Sequence, residues 1–161
     1  MKKIMIVDDN YLSAEGIEKN IDWETLNAEI IHVCYNGTSA IEAMKKEPAD
    51  LIISDIEMPD LDGISMSRQA LEINPMVKII LISAYDKFEY ARRALLLGAL
   101  DYIEKPLDYA YLIQKVKNAF ALMEKEQKNL QLLKQSRPLL TEKFFREITH
   151  LPSSEAAYRL K

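Results

Sequence analysis

The chain has 161 residues, 48% of them apolar and 29% charged, with a formal net charge of −4. That profile suits one ordinary globular domain with room for an appendage, and enough chain to bury a real core. The acidic balance and scattered Lys and Arg argue against nucleic-acid binding by these residues, because phosphate contacts need a basic face.

In chain order, the first apolar run is "KIMIV" (3–7). It reads as a strand and is too short for the apolar part of a signal peptide. Asp8, Asp9 and Asn10 follow it. A helix comes next, with Ala14, Ile17 and Ile21 recurring at three- and four-residue steps. "EIIHVCY" (29–35) is the second strand. It carries the single cysteine, Cys34, which excludes an internal disulfide, fits a reducing cytoplasm and reads as a small buried apolar residue. His32 and His150 have no Cys or His companion at ligand spacing, so a zinc site is not expected.

Asn36-Gly37-Thr38 starts the second helix, which ends before Pro48. "LIIS" (51–54) is the third strand and runs straight into Asp55. Asp62-Gly63 opens the third helix, and "VKIILIS" (77–83) is the fourth strand. A fourth helix through "DKFEYARRALLLG" stops at Gly98. "LDYI" (100–103) is the fifth strand. Most of these strands are apolar on both faces, as in a parallel sheet covered by helices on both sides. The alternation predicts an α/β, doubly wound sheet with right-handed crossovers.

After Pro106 a helix is expected from about Tyr109 to Gln135, roughly 40 Å at 1.5 Å per residue. Pro138 should end it, with one more short helix in "TEKFFREI" capped by Thr141. Residues 121–161 then read as a helical linker beyond a domain of residues 1–120, with the last residues loosely ordered. Leu112, Ile113, Val116, Ala119, Phe120 and Met123 form a wide apolar stripe, which narrows to Leu130 and Leu133 in the same heptad register. Glu126 falls on that seam, so two parallel copies would oppose carboxylates and pair weakly.

In a parallel sheet, every strand C-terminus emerges at one edge, where ligands bind. Here that edge carries Asp8-Asp9, Asp55, Ser83 and Lys105. Singly, each has a simpler reading. Asp8, Asp9 or Asn10 could cap the first helix, Asp55 could begin a turn, Ser83 could cap the fourth helix, and Lys105 could be solvated. Together, three carboxylates in one crevice repel unless a cation compensates them. Magnesium, a hard ion with oxygen ligands that keeps several waters, answers that need. With a lysine and a hydroxyl beside it, the site can neutralise a phosphoryl group in flight, and Asp55 becomes the nucleophile that forms an acyl phosphate.

The segments "MIVDDN", "DLIISDIEMPDLDG" and "ILISAYDKFEYARRALLLGALDYIEKP" together resemble the receiver domain of bacterial two-component response regulators, over roughly residues 1 to 120. "IDWETL" (21–26), "SAYDKFEYARRAL" and the long helix further resemble the subgroup with a downstream AraC-type DNA-binding domain. The resemblance implies a flavodoxin-like five-stranded sheet of order 2-1-3-4-5 with an extended C-terminal helix. It implies that Asp55 accepts a phosphoryl group from a sensor histidine kinase. It implies that Asp8 (through water), Asp9, Asp55 and the backbone carbonyl of Glu57 hold Mg2+. Ser83 and Lys105 would then stabilise the phosphoryl group, Ser83 and Tyr102 would form a switch, and Lys105–Pro106 would be a cis peptide. Glu57 and Tyr85 match positions that tune dephosphorylation. His32 matches no phosphodonor context and reads as structural. A cytoplasmic phosphoacceptor rather than an enzyme is implied, one that catalyses its own transfer and dephosphorylation. Its dimer would form through the fourth helix, fifth strand and fifth helix, through the C-terminal helix, or both. It would meet DNA only through a domain outside these residues, and no membrane.

Three other readings compete. A magnesium-dependent aspartyl phosphatase of the haloacid-dehalogenase type would want Asp where Glu57 stands. A flavodoxin-like cofactor carrier would need a Ser/Thr/Gly phosphate loop instead of "DDNYLS". A stand-alone binding module that is never phosphorylated would have no need of the intact set of Asp8, Asp9, Asp55, Ser83 and Lys105.

Overall fold

The structure is a computed structural model that describes residues 1–84, 88–99 and 101–149, with side chains at 88, 90, 91 and 136–149 excepted. Tyr85, His150 and the last residues, 151–161, lie outside the described residues. The elements run β1 (Lys2–Val7), α1 (Tyr11–Asn20), β2 (Ala28–Cys34), α2 (Gly37–Lys46), β3 (Leu51–Asp55), α3 (Gly63–Ile73), β4 (Lys78–Ser83), α4 (Phe88–Leu97), β5 (Asp101–Glu104) and α5 (Tyr109–Thr149). All five strands are parallel, in the order β2-β1-β3-β4-β5. This is the expected doubly wound, flavodoxin-like sheet.

Strand position explains the burial. The inner strands β3 and β4 are buried almost throughout, and so is β1 from Ile4 onward. The edge strands β2 and β5 are only partly covered, and their ends fall about a residue from the expected ones. On one face Met5, Val7, Ile52, Ile56, Ile79 and Leu81 join Ile41, Met44, Ile64 and Ala70 of α2 and α3 in one apolar cluster. Period-two alternation turns Ile4, Ile6, Ile53, Ile80 and Ile82 to the other face, where they too are buried. Gly98 ends α4 with φ at +94°, a backbone region that favours glycine.

Two expectations about the C-terminal part need correction. The long helix does not stop at Pro138 but continues to Thr149, so position 141 lies inside α5 and Thr141 caps no separate helix. A proline removes its own N–H from the helical ladder, but the flanking Leu, Lys, Gln and Glu residues are strong helix formers that carry the remaining turns. Backbone contacts divide the chain into Met1–Phe120 and Ala121–Lys161. Within the first unit, Leu112, Val116 and Ala119 of α5 are fully buried, whereas Leu130 and Leu133 in the second are 44% and 64% exposed. No helix among the described residues is long and apolar enough to cross a membrane.

Candidate functional site

The loop after β1 sorts three adjacent polar residues into different tasks. Asn10 caps α1, its Oδ1 accepting from the N–H groups of Leu12 at 3.0 Å and Ser13 at 3.3 Å. Asp8 and Asp9 are thereby released from capping. Asp8 is 3% exposed, and its N–H donates to the Cys34 carbonyl at 3.1 Å. Its Oδ1 accepts from the Asn10 N–H at 2.9 Å.

Two of the other simple readings are resolved in the same way. Asp62 caps α3, accepting from Ile64 N–H at 2.8 Å and Ser65 N–H at 2.9 Å, so Asp55 is not needed for that turn. Ser83 is fully buried and ends β4. Lys105 is not a solvated surface residue. Its Nζ stands 3.4 Å from Asp55 Oδ2 and 3.5 Å from Asp8 Oδ2, and its side chain is 26% exposed. The Lys105 N–H donates to the Ser83 carbonyl at 2.8 Å, and the Lys105–Pro106 peptide is cis.

Carboxylate oxygens of Asp8, Asp9 and Asp55 all lie within 4.8 Å of one another. When all are ionised, three carboxylates against one ammonium leave two negative charges uncompensated. Burial pushes the Asp55 carboxyl up to about 6. The Asp8 charge adds to that rise, while Lys105 and the Glu57 N–H oppose it. Burial also raises Asp8, against its hydrogen bond from Asn10 and the charge of Lys105. Burial would lower the Lys105 ammonium, but Asp55 and Asp8 outweigh it and hold the group above its ordinary value. At 3.4–3.5 Å the lysine is shared between two acceptors rather than tightly bonded to either. A cluster of hard oxygen donors with excess negative charge fits a divalent cation of the magnesium type.

Register and packing place the remaining expected residues. Ser83 follows Ile82, the register partner of Asp55 across the β3–β4 ladder. Tyr102 pairs with Leu81 in register and packs half-buried against the apolar cluster. Glu57 has a buried Oε1 with no hydrogen-bond partner among the described residues. His32 lies apart from the site, its Nε2 3.0 Å from the Glu47 carbonyl at the end of α2. A cavity of about 340 Å³ opens beside Asp8 and Lys105, between Leu12, Ser13 and Ile17 of α1 and Pro106, Leu107 and Tyr109.

Sequence reasoning passed over Ser54. This hydroxyl is fully buried and donates to the Asp55 carbonyl oxygen at 2.8 Å. Its signal in the sequence is a single polar residue ending an otherwise apolar strand.

Residues 4–117 match the family model of the response regulator receiver domain. The chain is 29% identical over 126 residues to the uncharacterized transcriptional regulatory protein YesN of Bacillus subtilis, across 78% of this chain and 34% of that protein. The REC domain of AraT, a response regulator from Geobacillus stearothermophilus, is similar in structure at a TM-score of 0.74 and 34% identity, covering 78% of this chain and 98% of that one. A two component transcriptional regulator AraC from Clostridium phytofermentans gives 0.74 and 31%, covering 79% and 98%. The chain spans only 34–44% of the length of the first curated relatives it matches.

Proposed function

The chain belongs to the response regulator receiver family, and from that premise we propose that Asp55 accepts a phosphoryl group from a sensor histidine kinase in a magnesium-dependent reaction. The observation that carries the proposal is Lys105 shared between the buried carboxylates of Asp55 and Asp8 at the C-terminal edge of the sheet. An Asp55 oxygen bonds to phosphorus as the donor's N–P bond breaks. The electron pair leaves with the donor imidazole nitrogen, which takes its proton from solvent. Lys105 turns from the carboxylate to a phosphoryl oxygen, and the Ser83 hydroxyl donates to another. Asp8, Asp9, Asp55 and the Glu57 carbonyl would hold Mg2+, which supplies positive charge against the carboxylates and the phosphoryl oxygens. A cavity lined in part by Asp8 and Lys105 lies beside this edge.

Movement of Ser83 toward the phosphoryl group frees space for Tyr102 to turn inward, shifting a two-state equilibrium rather than creating a new fold. The face of α4, β5 and α5 then becomes a partner surface, with a second copy of the chain as the partner. The C-terminal helix, with Leu130 and Leu133 in its seam, contributes to the same dimer. Residues 121–161 link the receiver to an AraC-type DNA-binding domain. Similarity to transcriptional regulators in both comparisons supports that output. The group acts as a phosphoacceptor in the cytoplasm, with its own site assisting transfer and dephosphorylation.

The test is intact-mass measurement after incubation with a small acyl-phosphate donor. Addition of one phosphoryl group with magnesium, and none with a chelator, is expected. Equal labelling in both conditions would overturn the metal requirement, and no labelling in either would overturn the proposal.

A further inference from the structure

Ser54 stands between Val7 of β1 and Leu81 of β4 in register, both members of the apolar cluster. A hydroxyl in such surroundings is costly unless it is hydrogen-bonded. An aliphatic side chain would be the default at this point of a central strand. The Ser54 hydroxyl spends its proton on the carbonyl oxygen of Asp55, at 2.8 Å. That same oxygen is crowded by the start of α3. A Cβ on Gly63 would lie 2.1 Å from it and 2.9 Å from the Ile56 Cα. Such distances mean that only a glycine lets the helix backbone come this close. The neighbouring groups are pinned as well. The Ile56 N–H donates to the Ile82 carbonyl at 2.9 Å, and the Gly63 N–H donates to the Ile56 carbonyl at 2.8 Å.

We infer that Ser54 and Gly63 are positioning residues for the site. The buried hydroxyl and the close approach of α3 together fix the Asp55–Ile56 peptide plane. That plane sets the direction of the Asp55 carboxylate on one side and the path of the chain to the Glu57 carbonyl on the other. Neither residue touches the reacting atoms. Both act through the backbone that presents the metal ligands, as outer groups around a metal site do. The inference rests on the reading of this edge as a magnesium and phosphoryl site, but it can fail independently of that reading.

The experiment measures Mg2+ affinity by calorimetry on the whole chain, together with the phosphorylation rate at saturating Mg2+ and acyl-phosphate donor. Ser54→Ala is expected to unfold cooperatively yet bind Mg2+ roughly 10-fold more weakly. Ser54→Thr, which keeps the hydroxyl, should recover most of that loss. A role confined to stability would lower the melting temperature and leave the affinity of the folded protein unchanged. Folded Ser54→Ala with wild-type affinity and rate overturns the inference. Should Ser54→Ala not fold, Gly63→Ala presses on the same carbonyl, and wild-type affinity in that variant overturns it equally. If instead wild-type protein binds no Mg2+, the site reading itself has failed, which is a separate result.

Discussion

Lys105 Nζ lies 3.4 Å from Asp55 Oδ2 and 3.5 Å from Asp8 Oδ2, so one ammonium holds two buried carboxylates, one at the end of β3 and one in the loop after β1. Removing it leaves both carboxylates facing each other without compensation. Lys105→Met should destabilise the magnesium-free protein at neutral pH by about 1–3 kcal/mol, less than a fully buried pair because the lysine is partly solvated. Asp55→Asn in the same chain should recover much of that loss. Urea unfolding of the two single variants and the double variant gives the coupling; strictly additive effects would show that the lysine is not paired there.

Stability without metal should depend on pH in a definite direction. The Asp55 carboxyl is raised from 3.8 to about 6, first by burial and then by Asp8. A carboxyl raised in the folded state binds its proton more tightly there than in the unfolded chain. Its contribution is therefore fully present below pH 3.8 and lost as pH rises through about 6. The loss amounts to roughly 3 kcal/mol at most. Asp55→Asn should flatten this part of the profile and make the metal-free protein more stable than wild type at pH 7. Unfolding midpoints between pH 4 and 7 in a chelator measure it. A wild-type profile that rises across that window would contradict the burial of an ionised Asp55.

Asp9 differs from Asp8 and Asp55 in being exposed. Asp9→Asn should leave metal-free stability within about 0.5 kcal/mol of wild type. The same change should remove most of the stabilisation that magnesium brings, which for wild type approaches 2.7 kcal/mol at a hundred times the dissociation constant. Thermal melts with and without magnesium separate the two effects. Equal magnesium shifts in wild type and Asp9→Asn would remove Asp9 from the ligand set.

Ser83 and Tyr102 should move together. In the unphosphorylated chain Tyr102 is half-buried against the apolar cluster. A phosphoryl mimic should change the Tyr102 ring resonances in wild type and leave them unmoved in Ser83→Ala. A change of the same size in Ser83→Ala would uncouple the pair and leave Tyr102 as an ordinary strand residue.

Legibility followed burial and backbone chemistry. The central strands could be read because Ile4, Ile6, Ile52, Ile53, Ile80 and Leu81 are covered on both faces, so apolar residues run consecutively until the strand ends. The edge strands were less sharp because β2 and β5 bury only part of their surface. The acidic cluster could be expected from strand ends in a parallel sheet. Which of Asp8, Asp9 and Asn10 caps α1 could not, since Asp and Asn both make good caps. Pro138 misled because a proline usually stops a helix, and here the turns on both sides continue. Ser54 was passed over because its partner is a backbone carbonyl one residue away, a contact that leaves no spacing pattern.

The most direct test of the central claim is the identity of the phosphorylated residue. Wild-type chain is treated with an acyl-phosphate donor and magnesium, the acyl phosphate is trapped by reduction, and the peptides are mapped by mass spectrometry. Modification at Asp55 alone, absent from Asp55→Asn and absent with a chelator, is the result predicted. Modification at Asp8, Asp9 or any other residue of the wild-type chain, or labelling of Asp55→Asn at the wild-type rate, would contradict it.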